Sequence, residues 1–444
     1  MQKVKPALLR GFDQEYLPAE QLQFNRLVDI IRRNFELYGF LPIETPSAEL
    51  KEVLTSKGAV EKEIYGLSRL AAAPGEESAG RGALRFDLTV PLARYVAMRE
   101  HQLVFPFRRY QIQRVWRGET PQANKGRFRE FYQCDIDIIG RDKLSYLAEA
   151  EIPSVIYSVF REMAIGEFRI RINNRKVLKG LLKSFDVPEN QAPAVLRILD
   201  KVEKESDAGI QAQLRKEGVK SPELYQLIAT KKSTEETLRA LSGHPACAEG
   251  TAELQAVAKA IRQFGVPDSA FAVDLGVVRG LDYYTGTIYE TTLTQYPELG
   301  SICSGGRYDD LASHFTDTKL PGVGISIGLT RLFAKLNEAN LLQPLARTPA
   351  EVLVTTMDHQ FLDKYLKMAA ALRAAGINTE VYLEAAKIDK QLQYASRKEF
   401  RVAVIAGGNE FAKNVVQLKD LSARESREVP MDNVVAPIKE LLKR

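Results

Sequence analysis

Leu27, Ile31, Phe35 and Tyr38 recur at helical spacing and Gly39 follows as a stop, which predicts a long amphipathic helix. Residues 40–46 then read as an extended segment, because the positions before Pro42 and Pro46 are pushed out of the helical region. At residues 84–91 the period changes to the alternation of a half-buried strand, with Arg85, Asp87 and Thr89 on one face. Residues 107–117 and 128–139 predict two strands joined through 118–127, an antiparallel hairpin with a long basic tip. On the second strand Gln133, Asp135 and Asp137 share one face, while Tyr132, Cys134, Ile136 and Ile138 share the other. If both faces are covered, the carboxylates must meet a ligand, since burying them unpaired costs roughly several kcal/mol.

Between Gly66 and Gly82 the chain is rich in Ala, Gly and Ser, as in a surface loop. From about Pro188 to Ile261 it turns helical and strongly charged, with Leu196, Leu199 and Val202 and then Leu254, Val257 and Ile261 at helical steps. This region interrupts the strands as a helical insertion. Phe271, Val273, Leu275 and Val277 alternate into Arg279 as another strand. Val323, Ile325 and Ile327 form a short strand before a helix that opens at Gly328, with Arg331 in its first turn, where backbone N–H groups favour an anion. A linker at 342–349 leads to strands at 352–355, 378–382 and 402–406 alternating with helices through 366–372 and 390–394, a small α/β domain. The expected division is residues 1–180 and 263–340 for a core in two parts, 181–262 for the insertion, 341–349 for the linker and 350–444 for the last domain.

Composition narrows the class only a little. A chain of 444 residues, 45% hydrophobic and 27% charged, reads as a folded multi-domain protein. A formal charge of +5 neither demands a nucleic-acid partner nor argues against one. Cys134, Cys247 and Cys303 are odd in number and far apart, and the four histidines are scattered, which argues against a disulfide framework or a structural metal site and fits a reducing compartment. No apolar run is long enough to span a membrane and the first five residues lead into no signal-peptide core, so a cytoplasmic protein without a membrane partner is expected.

Two segments carry the chemistry. Val278-Arg279-Gly280-Leu281-Asp282-Tyr283-Tyr284-Thr285-Gly286 joins a fixed cation and two phenols in a glycine-bounded turn, and Ser304-Gly305-Gly306-Arg307-Tyr308-Asp309 adds a second glycine turn carrying Arg-Tyr-Asp. Together they suit a phosphate held beside a small aromatic or heteroaromatic group. Arg117, Arg127, Arg279 and Arg331 each fall at a strand end, a turn or a helix start, and the planar guanidinium fork matches phosphate oxygens, so the four suggest a polyphosphate clamp. There is no P-loop, no Gly-rich dinucleotide turn and no nucleophile in a triad context, which leaves catalysis by positioning and charge stabilisation.

At these residues the chain resembles the histidyl-tRNA synthetases, a family of class II aminoacyl-tRNA synthetases, and the resemblance runs through nearly its whole length. The helix leading to Pro46 resembles the first class II motif, which implies a homodimer; Arg114 to Arg117 with 127–133 resembles the second, and 324–331 the third. The two segments above resemble the signatures peculiar to the histidine family. The resemblance implies an α/β multi-domain fold with an antiparallel-sheet catalytic core, a helical insertion and a C-terminal α/β anticodon-binding domain marked by Lys387, Lys390, Gln391, Tyr394 and 415–420. It implies ATP, L-histidine, Mg²⁺ and tRNA(His) as substrates and partners. Arg117 would hold the ATP α-phosphate, Glu119 the adenine end, and Arg127 and Arg331 the outer phosphates, with Arg279 on the α-phosphate opposite the attacking carboxylate. Asp87, Thr89 and Gln133 would bind the histidine α-amino group, and Asp137, Tyr284 and Tyr308 the imidazole.

The chain departs from the commoner family pattern at 10–18, where the acidic residues are spaced differently, at Thr120 and at Thr330. Two other readings compete with the synthetase. A regulatory paralogue of the histidine-pathway phosphoribosyltransferase would lack the C-terminal domain and have eroded signatures, whereas Gln133, Arg279, Tyr284 and Arg331 are all present. A class II synthetase of other specificity would lack the two histidine-type segments.

Overall fold

The computed structural model describes residues 4–56, 61–70, 81–122, 126–219, 221–280, 283–310, 312–342, 347–384 and 386–443. Most of the loop expected between Gly66 and Gly82, the tip of the hairpin at 123–125, Leu281-Asp282 and residues 343–346 of the linker lie outside the described residues. The chain forms two compact units, one of residues 1–14 and 27–342, the other of 15–26 and 343–444. Among the described residues no helix is long and apolar enough to cross a membrane.

In chain order the strands of the first unit are β1 (Leu41–Pro42), β2 (Ala48–Leu50), β3 (Gly82–Leu84), β4 (Phe107–Trp116), β5 (Glu130–Ile139), β6 (Phe168–Asn174), β7 (Phe271–Val273), β8 (Thr287–Leu293), β9 (Ser301–Tyr308) and β10 (Gly322–Gly328). Eight of them build one sheet in the order β1-β4-β5-β10-β9-β8-β6-β7, antiparallel except where β1 lies on β4 and β7 on β6. The predicted hairpin is its centre: β4 and β5 pair without a break from Phe107 opposite Ile139 to Trp116 opposite Glu130. Cys134, Ile136 and Ile138 are buried, as their face of the alternation requires, and the helices Tyr146–Met163 and Leu329–Glu338 pack on the sheet. The expected helical region is present as Ala192–Leu199, Asp207–Lys216, Pro222–Ala229, Thr234–Leu241 and Ala248–Gln263. The first predicted helix spans Pro18–Leu37 and stops at Gly39, whose φ of +75° suits glycine.

Three expectations are corrected. Residues 84–91 are not one strand: β3 ends at Leu84 and a helix, Thr89–Arg99, follows, its first turn accepting Pro91 where a missing N–H costs nothing. Asp87 Oδ1 accepts from the Val90 N–H at 3.1 Å, and Arg85 turns inward, 2% exposed, to donate to the carbonyls of Thr45 and Arg114. Ser304-Gly305-Gly306 is no turn but the middle of β9, where a Cβ on Gly305 would overlap the main chain of β10 at Gly324 and Ile325. The strand read through Val277 stops at Val273; the carbonyls of Leu275 and Val277 instead accept from the Asn173 side chain, so Arg279 lies on an irregular segment held by side-chain hydrogen bonds.

The second unit has its own five-stranded sheet, made of β11 (Val352–Val354), β12 (Thr379–Val381), β13 (Val402–Ile405), β14 (Val415–Asp420) and β15 (Ser426–Pro430), ordered β12-β11-β13-β14-β15. The first three are parallel and the last two antiparallel. Val352, Val354, Val402, Val404, Val416 and Leu418 bury one face against Tyr365 and Leu372 of the helix Leu362–Ala374 and Ile438 of Val435–Leu442. Gln391 is fully buried and holds Thr356 and Ala386 through its amide, which makes it a strut of this unit.

Candidate active site

The floor of the site is set by strand register. Asp135 on β5 stands between Gln111 on β4 and Ser326 on β10; Ser326 is opposite Ser304 on β9, and Ser304 opposite Glu290 on β8. The neighbouring row runs Arg109, Asp137, Gly324, Gly306. Its glycines make room for larger side chains lying across them: a Cβ on Gly324 would overlap the Asp137 carboxylate, and one on Gly306 would sit 2.8 Å from the Tyr284 ring. Gly322 likewise lies beneath the Tyr308 ring.

On this floor the Tyr308 hydroxyl donates to Asp137 Oδ1 at 2.6 Å while Arg109 Nη2 lies 2.5 Å from Asp137 Oδ2. The Tyr283 ring packs edge-on against Tyr284, with centroids 5.1 Å apart, and also against Tyr308. Its hydroxyl meets Thr89, which brings the start of the helix Thr89–Arg99 to the tyrosine cluster. Gln133 Nε2 donates to Ser326 Oγ at 2.8 Å, and Ser326 in turn supports Asp135. Two buried acceptors, Gln133 Oε1 and Asp135 Oδ1, have no hydrogen-bond partner among the described residues, so this part of the floor asks for a ligand that donates.

Beside this floor lies a cavity of about 380 Å³ whose lining includes Arg117, Arg127, Arg279 and Arg331 together with Glu119 and Gln133. The four arginines picked out as scattered strand ends and turns thus meet in one place. Arg117 is braced by its Nε donating to Phe86 O at 2.9 Å and by the Phe131 ring 5.1 Å beneath it. Arg331 follows the N-terminus of its helix and contacts the left-handed Gly126, φ +63°. Burial, then the nearby Arg127 and Arg279, lower the pKa of Arg331, the mark of cations crowded for a polyanion.

The carboxyl groups are perturbed in the opposite sense. Burial raises Asp137 to about 6 and Asp135 to about 7, against the lowering pull of Arg109. Burial also raises Asp87, with Arg117 and the Val90 N–H opposing it. Three acids around one buried guanidinium favour a cationic guest, since an ammonium supplies countercharge to carboxylates whose ionised form burial disfavours.

Of the residues expected to bind histidine, Gln133 and Arg279 line the cavity itself. Asp87, Thr89, Asp137, Tyr284 and Tyr308 form the adjoining cluster, in which Asp137 and Tyr308 are buried, coupled through Tyr283. Sequence reasoning missed Arg109, Ser326 and Glu290 and did not single out Asp135. Arg109 was findable once the hairpin register is known, because it faces Asp137. Glu290 and Ser326 carry no local signal and are recruited only by the order of the sheet.

As for magnesium, among the described residues no group of three His, Cys, Asp or Glu side chains is placed to hold a metal. Glu119 is the carboxylate among those lining the cavity, and Glu290 is committed to Arg279 and Arg171. That donor set fits a magnesium ion carried in by nucleotide phosphates, which needs one or two protein carboxylates at most.

An antiparallel sheet bearing an arginine-lined cavity beside an acidic, aromatic floor, on a chain that also carries a second mixed-sheet unit, agrees with the aminoacyl-tRNA synthetase class that the sequence resemblance implies. A family model described as histidyl-tRNA synthetase matches residues 13–332, and one described as an anticodon binding domain matches 351–441. The chain is 48% identical to the histidine–tRNA ligase of Xanthomonas axonopodis pv. citri, covering 98% of this chain and 96% of that one, and 48% identical to that of Stenotrophomonas maltophilia, covering 96% of each. The crystal structure of the histidyl-tRNA synthetase from Nostoc superposes with a TM-score of 0.90 at 42% identity, over 99% of this chain and 100% of that one. The chain belongs to the histidyl-tRNA synthetase family and is a histidine–tRNA ligase. A Bacillus halodurans chain titled as an ATP phosphoribosyltransferase regulatory subunit/histidyl-tRNA synthetase shares the fold alone, with a TM-score of 0.72 at 20% identity.

Proposed function

We propose that ATP occupies the arginine-lined cavity and that histidine lies on the acidic, aromatic floor beside it, so that the two meet at Arg279 and Gln133. The observation that carries this reading is the convergence of Arg117, Arg127, Arg279 and Arg331 on one cavity whose edge, Gln133, begins the acidic face of β5. The histidine α-ammonium donates to Gln133 Oε1 and to the carboxyl groups of Asp87 and Asp135, with Thr89 beside them. Asp137 accepts from one imidazole nitrogen. The Tyr308 hydroxyl, because it donates to Asp137, presents its lone pairs rather than its proton, and so orients Asp137 while Tyr284 packs along the ring. A site built on hydrogen bonds rejects an amino acid that leaves them unmade by up to about 10⁴-fold.

In the first step a histidine carboxylate oxygen attacks the α-phosphorus of ATP, the bond to the β-phosphate oxygen breaks, and pyrophosphate leaves. Arg117 and Arg279 offset charge on the α-phosphate, Arg127 and Arg331 hold the departing phosphates, and Glu119 takes the adenine end. Glu119 at the rim would help hold a magnesium ion brought in on the phosphates, which would supply further charge neutralisation. In the second step the terminal ribose hydroxyl of tRNA(His) takes the acyl group and AMP leaves.

We assign tRNA(His) anticodon recognition to residues 350–444. The first class II motif supports a homodimer, and Leu37 and Leu41 at its end are large apolar side chains exposed in the single chain. Three free, buried cysteines suit a cytoplasmic location. ATP–pyrophosphate exchange measured against all amino acids tests the site: exchange with histidine alone is expected, and equal exchange with another amino acid rejects the reading.

A further inference from the structure

Arg279 is held from behind. Its Nε meets Glu290 Oε1 at 2.6 Å, which leaves the two terminal nitrogens of the fork for phosphate oxygens. Glu290 on β8 is 5% exposed, and its other oxygen faces Arg171 Nη1 at 3.3 Å. Arg171 stands directly across from Glu290 on β6 and reaches two further carboxylates, Asp274 through Nε at 2.7 Å and Glu203 through Nη2 at 2.8 Å. Asp274 opens the irregular segment that carries Arg279, and its Oδ1 accepts from the Gly276 N–H. Arg171 therefore grips Arg279 twice, through the partner of its side chain and through the stem of its main chain.

The third arm leads outward. Glu203 follows the helix Ala192–Leu199 and also pairs with Lys231 Nζ at 3.0 Å, so three cations and three carboxylates run from the helical region to the cavity. Burial works against the charge of Arg171, yet Asp274 and Glu203 outweigh it and hold its pKa above the ordinary guanidinium value. The buried part of this network, Arg171 with Glu290 and Asp274, is a poor way to gain stability, because desolvation offsets much of the attraction that apolar packing would give without that cost. Fixing the direction of one exposed guanidinium is a use that stability does not explain.

We infer that Glu290 and Arg171 are positioning residues for Arg279, and that Glu203 makes the helical insertion part of that positioning; the inference rests on the assignment of Arg279 to the α-phosphate. Misplacing a transition-state ligand by about 1 Å costs on the order of 100-fold. Lysine cannot replace Arg171, since one ammonium cannot meet three carboxylates in a fixed plane.

The test is ATP–pyrophosphate exchange by the full chain carrying Glu290→Gln, Arg171→Lys, Glu203→Gln or Arg279→Ala, and the Arg279→Ala/Glu290→Gln pair. Glu290→Gln and Arg171→Lys are expected to lower kcat at least about 10-fold with the KM for histidine within about threefold, and Glu203→Gln to lower kcat by about two- to fivefold. In the Arg279→Ala background, Glu290→Gln is expected to change kcat by less than about twofold, since it acts through a side chain already removed. A normal kcat in Glu290→Gln, or a loss that persists undiminished in the Arg279→Ala background, overturns the inference. If Arg171→Lys fails to fold, the Glu290 and Glu203 variants still decide. Near-normal exchange by Arg279→Ala alone overturns the assignment of Arg279, and the inference with it.

Discussion

Arg109 and Asp137 face each other across the β4–β5 ladder, and Nη2 of the wholly buried guanidinium lies 2.5 Å from Oδ2 of the carboxylate. The contact is close but not aligned as a hydrogen bond, so Nε and Nη2 of Arg109 have no directed acceptor. Asp137 is thus both the neutraliser of a buried cation and the proposed reader of the imidazole. Asp137→Asn is expected to change stability at pH 7 by less than about 1–2 kcal/mol, because the countercharge Arg109 loses is offset by removing a carboxylate whose ionised form burial disfavours. It should also raise the KM for histidine at least about 100-fold with the KM for ATP little changed. Thermal unfolding and exchange kinetics on the same variant check both, and an unchanged histidine KM rejects the imidazole role.

The acidic floor predicts a pH dependence with a definite sign. Asp137 at about 6 and Asp135 at about 7 bind more protons in the native state than in the unfolded chain, where aspartate titrates near about 4. Their contribution to stability is therefore complete below about pH 4 and is lost as pH rises toward 7. Arg109, Asp87 and Asp137 are the charged groups that set the Asp135 value, with Ser326 bonded to it. Asp135→Asn removes that loss, so relative to wild type it should gain on the order of 2 kcal/mol between pH 5 and pH 7. Unfolding midpoints of the two proteins at both pH values measure it; a constant difference disproves the raised pKa.

Arg331 offers a separation of stability from function. Its charge is disfavoured first by burial and then by Arg127 and Arg279, and its Nε is buried with no acceptor among the described residues. Arg331→Ala should therefore be neutral or stabilising by up to about 1–2 kcal/mol while raising the KM for ATP at least about 10-fold. A variant that loses stability while keeping its ATP affinity would show that Arg331 is a structural ion, not a phosphate ligand.

Much of this could be read along the chain, and what could not has a common cause. The alternation of 128–139 placed Gln133, Asp135 and Asp137 correctly on one face, because a strand paired on both sides must obey a period of two. The same rule misled at 84–91, where Asp87 accepts the Val90 N–H and the chain turns into a helix. It misled again beyond Val273, where Asn173 replaces the ladder. Ser304-Gly305-Gly306 looked like a turn because glycine permits turns, but here glycine serves close approach of strands and rings. Ser326 and Glu290 were hidden because their partners come from strands distant in sequence, and register across the sheet is not a local property, whereas Arg109 needed only the register of the hairpin.

Gly306 gives the sharpest test of the floor, because its substitution adds one carbon and removes no functional group. A Cβ there would lie 2.8 Å from Thr287 O, a main-chain atom of β8, and 2.8 Å from both Cγ and Cδ1 of Tyr284. The carbonyl cannot move without breaking the β8–β9 pairing, so the Tyr284 ring must yield and tilt over the place assigned to the imidazole. Overpacking of this kind costs about 1–3 kcal/mol. Gly306→Ala is therefore expected to lower stability by that amount and to weaken histidine binding at least about 10-fold, while ATP binding in the arginine-lined cavity stays within about twofold. Isothermal titration with histidine and with ATP separates the two effects. Equal loss of both ligands would mean that the sheet as a whole has shifted, and unchanged histidine affinity would show that Tyr284 does not line its site.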